Sequence, residues 1–223
     1  VSVSVITPVW NRADLTLSFL NQNWRLYGNR SDIEFIVVDN GSEDSTPGLL
    51  KSWQERWSAL TVIRNKENLG FGPGNNQGTK IASGDIFVFL SNDVVVNGDY
   101  IGPVAESLKG RGHQLIGAQL MDWDTGWNKF NGEIIPYIAG WCVACTRDVW
   151  QMLDGFDERF IPCDYEDMDL SLEASKAGIT LVKLDLPLVH MFGRSAQALS
   201  GGREAITLEN KKRFVEKWGF TKS

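Results

Sequence analysis

Five short apolar runs in the first 120 residues are separated by four stretches of helical spacing, and that alternation leaves few folds open. The runs are Val3–Thr7, Ile33–Val38, Thr61–Arg64, Asp85–Leu90 and Leu115–Leu120. The stretches between them are Asp14–Tyr27, Thr46–Trp57, Gly74–Ser83 and Tyr100–Lys109. Repeated strand–helix units of this length predict an α/β fold, with a mostly parallel central sheet flanked by helices on both faces.

The rhythm changes near residue 120. Met121–Tyr137 is rich in Trp, Asn and Gly and reads as a small irregular subregion. Beyond it the sequence predicts a strand over Ile138–Thr146 and a short helix over Asp148–Leu153. A helix over Glu166–Ala177 stops at Gly178, followed by a strand over Thr180–Leu184 and an amphipathic helix over Gly202–Trp218. No repeat or linker interrupts the chain, so residues 1–223 read as one domain. Cys142 and Cys145 form a CxxC in an apolar run. Three residues apart on a strand, they point to opposite faces and do not share a metal. Three cysteines build no disulfide framework, which favours the cytoplasm, and no secretory leader or membrane-length apolar run is visible.

The charge is local. The chain carries 28 acids against 22 bases, a formal net charge of −6. Seven of those acids and one base lie in residues 154–169, which leaves the remainder balanced. An acidic chain of this kind argues against phosphate-neutralising nucleic-acid binding. Nine tryptophans are a second oddity. Trp24, Trp53, Trp57, Trp150 and Trp218 lie on helical patterns and read as core. Trp10, Trp123, Trp127 and Trp141 lie in loops or at a strand end, where flat aromatic faces can meet ligand.

Open α/β sheets bind ligands at the carboxyl ends of their strands. The segments to watch are therefore Pro8–Arg12, Asp39–Ser45, Asn65–Asn76, Ser91–Asn97 and Val189–Ser195. The Gly-rich run Asn68–Gly78 fits neither a dinucleotide fingerprint, since Asn75 or Gln77 stands where the third glycine belongs, nor a P-loop, since no Gly-Lys-Ser/Thr follows. It reads as a turn delivering a helix N-terminus near Gly74, a place that attracts anions, or as a plain loop. Asp39 closes the second strand, where an acid can accept hydrogen bonds from a ribose or base edge, or hold a turn. Asp93 follows the fourth strand, after Ser91 and Asn92. A single carboxylate there can hold Mg²⁺ or Mn²⁺ if diphosphate oxygens complete the shell, and His190 could add a ligand.

Seven pieces in order resemble the inverting glycosyltransferases of family 2, which have the GT-A fold. They are Val5–Arg12, Val37–Thr46, Asn65–Gly78, Phe89–Val94, Gly155–Phe160, Tyr165–Leu170 and Val189-His190. The likeness is greatest to a rhamnosyltransferase-like branch. It implies a nucleotide-sugar-binding half at residues 1–120 and an acceptor-binding, catalytic half at 121–223. It implies that Pro8, Val9, Asn11, Asp39, Asn68, Gly70, Asn75, Asn76, Asn92, Asp93 and Arg194 bind the donor, a UDP- or dTDP-sugar. Asp93 and His190 would hold a divalent cation, Mn²⁺ or Mg²⁺. Asp167 would be the catalytic base, with Glu166 its rival, and Gly140 and Trp141 would meet the acceptor. That acceptor would be a glycan, lipid-linked or not, reached from the cytoplasm or a membrane face. Ser91 departs from the family's DxD, whose first acid it replaces. Two other classes fit less well. A nucleotidyltransferase would carry a Gly-rich, basic loop after the first strand, which Pro8–Arg12 lacks. A non-catalytic nucleotide-sugar-binding module would have no need of Asp93, His190 and the Glu166-Asp167 pair together.

Overall fold

A computed structural model describes residues 1–122, 135–191 and 202–219. The first half follows the expected rhythm: β1 Val3–Val9, α1 Ala13–Tyr27, β2 Ile33–Asp39, α2 Thr46–Gln54, β3 Leu60–Arg64, α3 Phe71–Ile81, β4 Ile86–Leu90, β5 Val94–Val96, α4 Ile101–Leu108 and β6 Gln114–Gly117. Then come β7 Leu120–Asp122, β8 Pro136–Ile138, β9 Cys142–Thr146, α5 Arg147–Met152, α6 Glu166–Lys176, β10 Thr180–Lys183, β11 Leu188–His190 and α7 Arg203–Trp218.

The main sheet runs β10-β6-β9-β4-β1-β2-β3. Its pairs are parallel except those made by β9, which is antiparallel to both β4 and β6. This is the α/β architecture the sequence predicts. Two small sheets lie beside it, β11 with β5 and β7 with β8.

Strand alternation sorts the core into two layers. Val5, Phe35, Val37, Val88 and Leu90 face α1, α2 and α4, packing on Phe19, Leu20, Trp53 and Tyr100. Ile6, Ile36, Val38, Phe87 and Phe89 face the other way, onto Trp150, Phe156, Leu170 and Ala174. Each such buried side chain contributes about 1.5–3 kcal/mol. Cys142 belongs to the first layer and Cys145 to the second, as the strand spacing predicts.

Three expectations are corrected. The helix placed at Gly74–Ser83 starts at Phe71. Its glycines serve close packing, because a Cβ at Gly74 or Gly78 would strike Pro8 or Ile6 of β1. The strand placed at Ile138–Thr146 is two strands in different sheets, broken at Ala139–Trp141. Trp24, read as core, is half exposed, because α1 buries the face of Leu15, Phe19, Leu20, Asn23 and Tyr27, leaving Trp24 edge-on to Trp53.

Candidate functional site

From β1 the chain steps to β2 on one side, and β4 pairs on the other. The loops leaving β1 and β4 therefore diverge, which opens a crevice at the carboxyl end of the sheet. One cavity sits there. Pro8, Val9 and Trp10 line it from β1, Asn40 from β2, Asn68, Gly70 and Phe71 from the loop into α3, and Ser91 and Asn92 from the end of β4. Pro162 and Cys163 close it. Gly70 is required by geometry. Its φ is +98°, and a Cβ would come within 2.9 Å of the Pro162 carbonyl.

The α3 N-terminus is a poor anion cradle. The Phe71 N–H donates to Pro162 O at 2.7 Å, and Pro73 has no N–H, so two of its first three positions are used or absent.

The expected donor residues divide. Pro8, Val9, Asn68, Gly70 and Asn92 line this cavity. Asp39, Asn11, Asn75 and Asn76 line neither it nor the cleft described next. Asp39 is fully buried, accepting the Ser42 N–H at 2.9 Å and facing Arg64 at 3.3 Å. Asn11 Oδ1 accepts the Glu43 N–H, tying the β1 loop to the β2 loop. Asn75 Nδ2 donates to Phe71 O. Asn76 clasps the Phe156 backbone from both ends of its amide, at 2.8 and 3.0 Å. Turn and clasp geometry thus occupies four polar side chains read as ligand-binding. Arg194, Trp123 and Trp127 lie outside the described residues.

Phe71, Ser91 and Cys163 also line a second, larger cleft, so the two cavities adjoin. This cleft gathers Asp93, Gly140, Trp141, Glu166, Asp167 and His190. The pairing that assembles one end is short. β11 runs antiparallel to β5 with His190 opposite Val94, which sets the imidazole beside Asp93. His190 Nε2 lies 3.3 Å from Asp93 Oδ1. The Trp141 ring stacks on His190, centroids 5.1 Å apart and planes 11° apart, and its Nε1 donates to Gln119 Oε1 at 2.9 Å.

Among the described residues no three His, Cys, Asp or Glu side chains form a metal-holding group. Asp93 and His190 supply one oxygen and one nitrogen donor at the cleft wall. That pair suits a hard or borderline divalent cation whose remaining positions come from ligand oxygens. It does not make a closed metal site.

The other end is built by the start of α6. Asp164 and Tyr165 both adopt left-handed backbone, φ 75° and 78°, which turns the chain into the helix with Glu166 and Asp167 in its first turn. Such values are rare for an aromatic residue and mark a constrained segment. Asp167 Oδ2 accepts the Gly140 N–H and Oδ1 the Met168 N–H, each at 2.8 Å. A Cβ at Gly140 would lie 3.1 Å from Asp167 Cβ, so a glycine permits this approach. Burial raises the Asp167 pKa, while these two N–H donors pull it back. Burial raises Glu166 further, helped by the charge of Asp167. The helix terminus alone predicts an ionised Asp167. Desolvation opposes it.

Three more acids of the run, Asp157, Asp164 and Asp169, are paired by α7, a partnership no local pattern announces. Lys217 Nζ reaches Asp157 at 2.9 Å, Asp169 at 2.8 Å and Glu173 at 3.0 Å. The Trp218 indole N–H donates to Asp169. Arg203 pairs with Asp164, and Asn210 Nδ2 donates to the carbonyls of Cys163 and Asp164. Thr207 and Arg203 also line the cleft. Gln119, Phe71, Cys163 and Arg203 were not singled out by sequence. They neighbour the site through tertiary contacts only.

Residues 4–161 match the family model described as "Glycosyl transferase family 2". Glycosyltransferase AglE of Haloferax volcanii is 30% identical over 118 residues, 53% of this chain and 39% of that protein. The poly(ribitol-phosphate) beta-glucosyltransferase of Bacillus spizizenii is 33% identical over 107 residues, 47% of this chain and 16% of that one. Among solved structures, the mannosyltransferase PcManGT from Pyrobaculum calidifontis, in complex with GDP-Man and Mn²⁺, superposes with a TM-score of 0.66 at 23% identity. It covers 82% of this chain and 54% of its own. S. aureus TarS 1–349 in complex with UDP gives 0.60 at 17% identity, covering 77% and 54%. The chain thus spans about half or less of these proteins' own lengths.

Proposed function

The chain belongs to glycosyl transferase family 2, and from the cleft it builds we propose that it moves a sugar from a nucleoside diphosphate to an acceptor hydroxyl, with inversion. One observation carries this reading. A switch-point pocket opens onto a cleft with Asp93 and His190 at one wall and Glu166 and Asp167 at another.

The nucleoside would occupy the first cavity, where Trp10 and Phe71 offer aromatic faces and Asn68 and Asn92 offer amides, the Asn40 amide being held by Gly70 and Asn65. The sugar would cross the junction at Phe71, Ser91 and Cys163. In the displacement the acceptor oxygen forms a bond to the anomeric carbon as the bond to the diphosphate breaks. The leaving group takes the electron pair, and Asp167 takes the hydroxyl proton. A base within hydrogen-bond reach contributes roughly 10²–10⁴-fold. Asp93 and His190 would hold a divalent cation, which when bound would offset charge on the departing diphosphate. The complex of PcManGT with GDP-Man and Mn²⁺ supports that role. Gly140 fixes the base through its N–H, and Trp141 presents its ring beside His190 toward the acceptor. Residues 1–120 would bind the donor, and 121–223 would supply the acceptor side and the base.

Donor identity is the finer part of the reading. A UDP- or dTDP-hexose or deoxyhexose, rhamnose included, is the class proposed, with a glycan or lipid-linked glycan as acceptor. Among the described residues no helix is long and apolar enough to cross a membrane, so a lipid-linked acceptor would be met at a surface. The test is a panel of nucleotide sugars, with and without Mn²⁺, read by release of nucleoside diphosphate. At least one donor should turn over, and Asp167→Asn should abolish turnover while retaining nucleotide binding. Unchanged turnover in that variant would remove Asp167 from its role. Binding without turnover in the parent protein would favour a sugar-nucleotide-binding module instead.

A further inference from the structure

Glu166 and Asp167 are neighbours in one turn of α6, yet their surroundings differ. Asp167 has a backbone N–H donor on each oxygen. Glu166 is 94% buried, since only 6% of it is exposed, and its Oε2 has no hydrogen-bond partner among the described residues. The nearby cations are committed elsewhere. Arg203 makes two hydrogen bonds to Asp164, and Lys217 serves Asp157, Asp169 and Glu173. Burial, then Asp167 and Asp164 on its own segment, favour the neutral form of Glu166, against its own backbone N–H and Arg203 from α7. Asp93 and His190 line the same cleft.

Two adjacent carboxylates, Glu166 buried and Asp167 partly so, cannot both be charged cheaply, and the one with fewer donors keeps the proton. A buried carboxyl oxygen with no protein partner at the wall of a cleft calls for a partner from within the cleft. The terminal torsion of glutamate is broad enough to aim that oxygen inward.

We propose that Glu166 serves the reaction as a neutral carboxyl that donates its O–H hydrogen bond to a substrate oxygen in the cleft, leaving Asp167 as the group that accepts a proton. Glu166 keeps its own proton throughout. The hydroxyl proton goes to Asp167, and the nucleoside diphosphate departs with the electrons of the broken bond. This rests on the glycosyl-transfer reading for the identity of the substrate, but the protonation state does not.

The first test needs no substrate. Infrared difference spectra of the whole protein at neutral pH should show a protonated-carboxyl C=O band. Glu166→Gln should remove that band, and Asp167→Asn should leave it. No such band, or one lost only in Asp167→Asn, overturns the proposal even if no donor is ever found. The second test is turnover with whichever nucleotide sugar the panel selects. Glu166→Gln, which still donates, should retain activity within about tenfold, whereas Glu166→Leu should lose more than about a hundredfold. A glutamine variant as inactive as Asp167→Asn also overturns it. If the infrared signature holds and no nucleotide sugar turns over, the transfer reading fails and the neutral Glu166 stands.

Discussion

Asp157 and Asp167 lie in the same acidic run and have opposite surroundings. Asp157 holds Arg159 and Lys217, and those cations keep its carboxyl far below the ordinary carboxylate range. Among the described residues Asp167 takes only backbone N–H donors, and burial lifts it above that range. Asp164, bound to Arg203, belongs with Asp157, while Glu166 belongs with Asp167. The run is therefore two devices interleaved. One anchors α7 over the cleft, and the other is clear of ion pairs among the described residues, as the proposed proton transfer requires.

The sharpest way to break this contrast is kinetic. Asp167→Asn should cost at least about a hundredfold in donor turnover with the fold unchanged, while Asp157→Asn should cost activity only in step with lost stability. Paired measurements of turnover and urea unfolding check this. Equal kinetic loss in both variants would erase the division.

The next effect is on stability. Lys217 is 18% exposed and serves three acids, of which Asp169 is almost fully buried. Removing it in Lys217→Met strands those charges and should cost about 2 kcal/mol, discounted from the buried-pair range for partial exposure. In a chain of this size that lowers Tm by about 4–8 °C. Calorimetry would show it, and a change under about 1 °C would mean α7 is not anchored there.

Asp157 and the Glu166–Asp167 pair also respond to pH with opposite sign. Asp157 has its folded pKa lowered, so its contribution is present above the unfolded value near 3.8 and is lost as pH falls below it. Glu166 and Asp167 have theirs raised, so their contribution is complete below the ordinary carboxylate range and is lost as pH rises through the folded values. Unfolding midpoints measured from acid to mildly alkaline pH should show Glu166→Gln gaining on the parent protein as pH rises. Asp157→Asn should fall behind above about pH 4. The acid limb of turnover should likewise sit above the ordinary carboxylate range. The smallest effect belongs to Arg203→Ala. Half exposed, its ion pair with Asp164 should contribute less than about 1 kcal/mol, read as a minor shift in urea midpoint.

Much of the fold was legible because it is local. β1 to β4 and their helices follow from apolar runs and turns, and the opposite faces of Cys142 and Cys145 follow from strand period. Asp93, Glu166, Asp167 and His190, expected from the sequence as site residues, stand at element termini and line one cleft. What stayed hidden depends on partners far along the chain. β5 and β11 are three residues each and are strands only because they pair. Lys217 has no local feature that points to Asp157. Asp39, Asn11 and Asn76 are expected as donor-binding groups from sequence, and the hydrogen bonds by which they hold the loops at Ser42, Glu43 and Phe156 are not visible in it. Trp24 has helical spacing but lies on the exposed side of α1.

The β5–β11 pair has a consequence for the order of events during synthesis. Asp93 and His190 are separated by roughly a hundred residues, and closing so long a loop comes late. The parallel units from β1 to β4 can form as the chain emerges, N-terminal part first. The imidazole can join the carboxylate only after β10 has been made. A partly made chain can thus shape the first cavity while Asp93 and His190 are still apart, so the cleft is completed only after the segment through residue 190 has left the ribosome.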